Sequence, residues 1–561
     1  MTRPALPRLA ATLLAALGLT ASACGSTKPA PEAASAEPPE KAPEVALKPT
    51  PPAPLDAEGW WRDAVFYEIF VRSFQDSDGD GVGDLRGVTQ RLDYLADLGV
   101  KGIWLMPIQP SPSYHGYDVT DYRGVNPDYG TLADLDALVA AAKERGIGII
   151  TDFVLNHSSS EHPWFIDARS GPGATYRDYY TWAPAPIETW HRPWDGANVW
   201  HEANGSYFYG LFWSGMPDLN LENEALSRYM VESFAFWLDH GLAGFRVDAA
   251  RYLFETRDGK LADLPRSIDY ITQVREATRA AHPDALYVAE AWTNEDTVAK
   301  YYGDGGDAYQ LAFSFDLAGA MVSAANGGSR SELVEVLRKT EASVGDRGFE
   351  APFLTNHDMP RLMRQLGGDV KANRLAAALL FAMPGTPFLY YGEEIGMQGG
   401  AGGADENKRT PMRWTQDLRS HGFTTAEKPW FPMPDELPRT DVESQRGDRA
   451  SLFVLYQHLI ALRTREKALR RGTTARAEIV EGGTAATFAL LREAPDGGDR
   501  ILAVYNLGEK PAAPFKVAVA APAPRVLFEE GLAGALPPGD AAVVIPALAP
   551  RGFAFVQLGT N

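Results

Sequence analysis

Four short strings place acidic, basic and imidazole side chains where a folded chain could use them together. They are Asp152-Phe-Val-Leu-Asn156-His157, Gly244-Phe-Arg246-Val-Asp248, Ala289-Glu290-Ala-Trp292 and Phe353-Leu-Thr-Asn356-His357-Asp358. Each follows or ends a short apolar run, so each carries polar groups that a packed core would not tolerate unpaired. Two carboxyls held in different protonation states can do nucleophilic and general acid–base work on a glycosidic bond. Arg246 beside Asp248 would keep that carboxylate ionised, and the imidazoles of His157 and His357 would bind hydroxyls. Taken singly the strings are ambiguous. Arg246–Asp248 reads equally as a salt bridge, and Asn356-His357-Asp358 as a capped helix start. Four of them at the ends of apolar runs favour chemistry.

The elements that must position these groups read as alternating strands and helices. Short β-rich runs lie at Ala64–Phe70, Gly102–Pro107, Ile147–Leu155, Gly244–Val247, Leu286–Ala289, Leu311–Phe315, Phe353–Leu354 and Thr386–Tyr390. Between them come stretches of helical period such as Leu132–Arg145 and Ala225–His240. Eight strand–helix repeats predict an α/β fold, a closed (β/α)8 TIM barrel over residues 59–470, with polar groups at the C-terminal strand ends. No GxGxxG string or P-loop follows the first strand, which argues against a nucleotide site. The interval from His157 to Pro217 is too long for a simple connection and rich in Trp, Gly, Pro and Tyr. It predicts a small, irregular inserted domain after strand three, residues 158–217, over the barrel mouth. Beyond the last helix, Leu452–Ala468, alternating and turn-punctuated text predicts a C-terminal antiparallel β-sandwich at 471–561.

The chain has 561 residues, 45% hydrophobic and 22% charged, which suits a large core. Its net charge of −20 repels phosphate backbones, so nucleic acid is not an expected partner. The single cysteine, Cys24, excludes an intrachain disulfide. Arg3 and Arg8 precede an apolar run from Leu9 to Leu19 that is too short to span a membrane, the layout of a secretory signal over residues 1–23. Ala21-Ser22-Ala23-Cys24-Gly25 resembles a bacterial lipobox. That predicts lipidation of Cys24 and an anchor at the cell envelope, periplasmic or surface; an ordinary cleaved signal stays open. From Ser26 to Glu58 the text is dominated by Pro, Ala, Glu and Lys and reads as a semi-rigid linker, so the working domain begins near Trp60.

A second constellation is acidic. Asp76-Ser-Asp78-Gly79-Asp80-Gly81-Val82-Gly83-Asp84 spaces carboxylates around a glycine-assisted turn, hard oxygen donors that suit Ca2+. It begins like an EF-hand, but Gly87 stands where the bidentate Glu belongs and no helix precedes it.

With these residues in view, the chain from about Trp60 onward resembles glycoside hydrolase family 13, the α-amylase family. Asp152–His157 is similar to the first signature region of that family, Phe245–Asp248 to the second, Glu290 to the third and Phe353–Asp358 to the fourth. Gly102–Pro107, Met216–Asn220 and Gly385–Gly392 extend the likeness. The resemblance implies a retaining double displacement. Asp248 would be the nucleophile and Glu290 the acid–base group, the one of raised pKa, with their carboxyls roughly 5–5.5 Å apart. Asp358 would hold the 2- and 3-hydroxyls of the sugar. Tyr117 would be a stacking platform, and Asp118, His157, Arg246, His357 and Arg361 would complete the substrate contacts. Asp76, Asp78, Asp80, the Val82 carbonyl and Asp84 would be the Ca2+ ligands.

Met216–Asn220 is similar to the neopullulanase side of the family, whereas the acidic loop and Arg409–Trp414 resemble the oligo-1,6-glucosidase side. That mixture resembles an intermediate group of α-amylases, and Ala249 after the nucleophile resembles α-1,4 specificity. The implied substrate is starch or a maltooligosaccharide, acted on by a monomer. An α-glucosidase, a neopullulanase-like transglycosylase and a trehalose synthase stay open. More remote is a non-catalytic glycan-binding lipoprotein, which typically lacks one of the three carboxylates.

Overall fold

A computed structural model describes residues 59–559 apart from Ser329 and Asp346. The expected signal peptide, the lipidated Cys24 and the linker lie outside the described residues. Among the described residues no helix is long and apolar enough to cross a membrane.

Eight parallel strands form a barrel: β1 (Phe66–Ile69), β2 (Gly102–Leu105), β3 (Gly148–Phe153), β4 (Gly244–Val247), β5 (Leu286–Ala289), β6 (Leu311–Phe313), β7 (Phe349–Ala351) and β8 (Phe388–Tyr390). Neighbours pair in the order β7-β6-β5-β4-β3-β2-β1-β8. The ring closes through a parallel bridge from Phe353 to Phe388. The run expected as strand seven, Phe353–Leu354, is therefore only that bridge, and the strand itself lies earlier. Pro352 has no N–H to extend the ladder. Glu350, buried outside the lumen near the Tyr302 hydroxyl (3.4 Å), hides the strand from an apolar count.

The two-residue period of a strand decides what faces inward. Phe66, Trp104, Ile150, Leu286, Val288, Leu311, Phe313, Ala351 and Phe388 pack in the lumen. Tyr67, Ile103, Ile149, Phe245, Tyr287, Ala312 and Leu389 belong to the larger core outside it, beneath the helices. Trp60 and Trp61, in a short turn before β1, close the N-terminal end of the lumen. Burying each of these large side chains contributes roughly 1.5–3 kcal/mol. One step further along the same alternation the inward positions become Glu68, Asp152 and Arg246, and just past the strand ends Asp248 and Glu290. The apolar layers thus carry a charged one.

Local signals start the helices. The helix Glu224–Asp239 begins at Asn223, whose side chain accepts from the Ala225 and Leu226 N–H groups. Its buried stripe of Leu226, Met230, Phe234 and Trp237 recurs at helical spacing. Thr131 and Asp134 form a reciprocal capping box ahead of Leu132–Glu144. Gly244 opens β4 at φ 147°, and a Cβ there would stand 2.0 Å from the Leu286 carbonyl oxygen, so only glycine lets β4 and β5 meet.

Between β3 and the Glu224–Asp239 helix the chain is more regular than its composition suggests. It forms a three-stranded antiparallel sheet (Trp182–Ala183, Trp200–Ala203, Ser206–Tyr209) over a core of Trp190, Trp200, Tyr209 and Leu211. The bridge from His157 to Asp218 ties it back to the barrel. After residue 472 come a five-stranded and a three-stranded antiparallel sheet. Leu502, Val504, Phe515, Val517, Ile545 and Val556 pack between them. Arg492, from the strand Thr487–Glu493, reaches the barrel helix Val370–Ala382 and donates to the Ala382 carbonyl at its C-terminal end.

Candidate active site

Arg246 is the centre of the site. Its guanidinium, 1% exposed, donates from Nη1 to Asp152 Oδ1 (2.6 Å) and Asp248 Oδ1 (2.6 Å), and Nη2 lies 2.9 Å from Glu290 Oε1. One planar fork from β4 therefore holds carboxyls from β3, from the end of β4 and from the end of β5. The second Glu290 oxygen accepts the Ala249 N–H at 2.8 Å. Ala249 presents that N–H from a left-handed backbone (φ 51°), uncommon for alanine, at the residue after Asp248.

A second group sits beside the first. Asp358 Oδ2 lies 3.2 Å from His357 Nε2, and its Oδ1 accepts from Arg409 Nη2 at 2.9 Å. His357 Nδ1 faces Glu68 Oε1 at 2.5 Å, and its Nε2 lies 2.7 Å from the Tyr117 hydroxyl. That hydroxyl donates to Asp152 Oδ2 at 3.0 Å, which Trp104 Nε1 also approaches at 3.2 Å. The two groups are thus one hydrogen-bonded network.

Electrostatics follows from the sharing. Burial pushes the carboxyls of Asp152, Asp248 and Glu290 up to about 6, against the pull of Arg246. The sequence singles out Glu290 as the raised one; the structure raises all three, because all three are buried and their shared cation offsets only part of that. Asp358 differs. Burial opposes its ionisation, but His357 and Arg409 outweigh it and hold the carboxyl well below the usual range. Burial also opposes a charge on His357, yet Asp358 and Glu68 on either side raise the imidazole to about 10.

A family model described as "Alpha amylase, catalytic domain" matches residues 68–472, which spans the barrel and all of these groups. The chain belongs to the α-amylase family. It is 36% identical over 453 residues to Alpha-amylase 3 of Dictyoglomus thermophilum, covering 80% of this chain and 86% of that one. It is 35% identical over 505 residues to Trehalose synthase/amylase TreS of Mycobacterium tuberculosis, covering 81% and 82% respectively. The crystal structure of alpha-amylase from H. orenii superposes with a TM-score of 0.75 at 35% identity, covering 88% of this chain and 99% of that one. The protein is an enzyme of the glycoside hydrolase type.

Within this α-amylase-family site, three residues expected from the sequence as sugar contacts also have partners within the protein. His157 Nε2 bonds the Tyr117 carbonyl oxygen at 3.0 Å, and burial lowers its imidazole to about 4. Asp118 Oδ1 accepts the hydroxyls of Ser111 (2.5 Å) and Ser113, so it braces the loop that carries Tyr117. Arg361 is buried over Tyr390 and Tyr391 and donates to the Tyr391 carbonyl oxygen at 2.5 Å, where it supports the turn after β8. Glu68 and Arg409 were given no role by sequence reasoning. Glu68 had a signal, as the one charge in the apolar run Ala64–Phe70. Arg409 had none beyond the likeness of its own string, because only the folded turn after β8 brings it to Asp358.

The acidic loop stands apart from the carboxyl network. Carboxylate oxygens of Asp76, Asp78 and Asp84 lie within 4.8 Å of one another. Asp76 accepts the N–H groups of Asp78, Gly79 and Gly81, which curls the loop around it. Asp80 accepts the Val82 N–H and lies outside that trio; burial and its acidic neighbours Asp78 and Asp76 raise its carboxyl.

Proposed function

We propose that this enzyme hydrolyses α-1,4-glucosidic bonds of starch or maltooligosaccharides with retention, through a β-glycosyl intermediate on Asp248. The observation that carries the reading is the grip of one guanidinium on both Asp248 and Glu290. Carboxyls held at 2.6 and 2.9 Å by the two terminal nitrogens of one guanidinium are compatible with the roughly 5–5.5 Å spacing of a retaining pair. Arg246 engages Asp248 Oδ1, which leaves Oδ2 for attack. As Oδ2 bonds to the anomeric carbon, the bond to the leaving oxygen breaks and Glu290 gives that oxygen its proton. Glu290, now ionised, then takes a proton from water, whose oxygen displaces Asp248. Asp358, kept ionised by His357 and Arg409, accepts from the 2- and 3-hydroxyls.

Two further features support a polymeric substrate. Trp292, two residues beyond Glu290, is 49% exposed with one face stacked on Phe315 (4.4 Å, 11°), and Trp194 is 49% exposed beside Phe212 and Tyr252, so both leave ring surface for sugars. Ala249 and the likeness to Alpha-amylase 3 favour the α-1,4 linkage. Cys24, read as lipidated, holds the enzyme at the cell envelope, where such polymers are met. The testing experiment supplies starch, pullulan, maltose and isomaltose separately, with product sizing and proton NMR of the first-formed anomer. Mixed α-anomeric oligomers from starch are expected. First-formed β-anomers, or conversion of maltose to trehalose, would replace the reading.

We also read the Asp76–Asp84 loop as a structural Ca2+ site, since an all-oxygen donor set closing within 4.8 Å fits that ion. Bound Ca2+ would neutralise the clustered carboxylates and fasten the loop after β1. An ion that binds only the folded state at a hundred times its Kd stabilises by about 2.7 kcal/mol. Chelation is therefore expected to lower Tm by about 2–3 degrees, with recovery on adding Ca2+ in excess of chelator. An unchanged Tm in both arms would remove calcium from the reading.

A further inference from the structure

We propose that Glu68 is a positioning residue that keeps His357 a doubly donating imidazolium and thereby sets the direction of the hydrogen bonds running from Tyr117 to Asp248. The inference rests on the assignment of Asp248, Glu290 and Asp358 as the groups that meet the substrate.

The geometry leads to it. His357 stands between two carboxyls on opposite ring nitrogens: Glu68 Oε1 at 2.5 Å from Nδ1 and Asp358 Oδ2 at 3.2 Å from Nε2. A neutral imidazole has one N–H and leaves one nitrogen lone pair pointing at a carboxylate; the imidazolium satisfies both. The other neighbours are Asp152, Tyr390 of β8, whose hydroxyl donates to the Lys408 carbonyl at 3.1 Å, and three groups on β2 and the loops. Trp104 from β2 packs its ring at 5.7 Å, the Tyr117 ring stacks at 5.5 Å, and Arg409 engages the backbone carbonyl of His357 and the far oxygen of Asp358. Arg246 lies one step further on, bonded to Asp152. Glu68 itself is 1% exposed on β1; burial raises its carboxyl, against the pull of His357 and Arg246, and the charge it keeps is little screened by water.

Direction then propagates. With Nε2 a donor, the Tyr117 hydroxyl is free to give its single proton to Asp152 Oδ2, and Asp152 in turn accepts from Arg246. Were His357 to lose its proton and leave Nε2 bare, that nitrogen would compete for the Tyr117 proton. Asp152 would lose a donor and draw more heavily on Arg246, at the expense of Asp248. The raised imidazole, about 10, agrees with this arrangement.

The test uses the full chain carrying Glu68→Gln, which keeps the shape and an acceptor oxygen but removes the charge. His357 is followed by NMR of histidine-labelled protein, assigned against His357→Gln, alongside the pH profile of kcat/KM. In the wild type the imidazole is expected to stay charged through pH 8. In Glu68→Gln its ionisation is expected to fall toward about 6.5. The variant's kcat/KM would then fall below the wild-type value by about a further tenfold per pH unit above that point and approach it in acid. Glu68→Asp, which keeps the charge, should retain the wild-type profile. A wild-type His357 that titrates near pH 6.5, or a Glu68→Gln profile parallel to the wild type, overturns the proposal. Asp248→Asn run beside it separates the two failures: activity there removes the underlying site assignment, whereas its loss together with an unmoved Glu68→Gln profile removes only the role of Glu68.

Discussion

Asp248→Asn is expected to lower kcat/KM on maltooligosaccharides by about 10³-fold or more while leaving a folded protein. A carboxamide has the shape of the carboxylate but cannot form the covalent glycosyl ester that splits one difficult displacement into two easier ones. A thousandfold loss is about 4 kcal/mol of transition-state stabilisation, well inside what a single nucleophile supplies. Folding should survive because Arg246 keeps Asp152 and Glu290 as partners. Initial rates and a thermal melt on the same preparation check both halves. A variant that keeps a tenth of wild-type turnover would exclude Asp248 as the nucleophile.

Arg246→Met is expected to be the most destabilising single change in the site. The apolar stem is roughly preserved, but three buried carboxyls lose their shared cation. Removing one partner from a buried ion pair costs about 3–5 kcal/mol. The loss should depend on pH in a defined direction. Folding raises Asp152, Asp248 and Glu290 to about 6 even with Arg246 present. Unfolded carboxyls titrate at about 4. Between those values the native state binds more protons than the unfolded chain, so these groups favour the fold in acid and that contribution is lost as pH rises. Without the guanidinium the window extends upward. Urea unfolding should therefore show a smaller deficit at pH 5 than at pH 8. An equal deficit at the two pH values would mean that packing, rather than charge, is what Arg246 supplies.

Much of the barrel was legible because both faces of its strands are buried. Gly244–Val247 and Leu286–Ala289 begin and end where their apolar runs do. β7 was misplaced for the same reason in reverse, since Glu350 breaks the apolar pattern while still being buried. The gathering of Asp248, Glu290, Asp358, Arg246 and His357 followed from their positions at strand ends. Their partners did not. Glu68 stands 289 positions from His357, and nothing in the spacing of either reveals that they meet. Nor does spacing show that three carboxyls would be buried around one cation, so only one raised carboxyl was expected where burial raises three. Asp118 and Arg361 were placed in the right loops, while their protein partners, Ser111 and the Tyr391 carbonyl, were not legible.

The likeness to the family catalytic domain stops at residue 472, yet that position is not a seam in the folded chain. Arg492, beyond it, donates to the carbonyl oxygens of Ala382, Gly472 and Thr473, and Tyr505 donates to that of Ala378. From the barrel side Arg463 caps Phe381, Met383 and Gly385. Cations at a helix C-terminus contribute up to about 2 kcal/mol where buried, and each buried carbonyl left bare costs about 1–3 kcal/mol. The β-sandwich is therefore fastened to the barrel at one helix. Replacing it with a domain that lacks an arginine and a tyrosine in these places would leave the carbonyls of Ala382 and Ala378 without their side-chain donors.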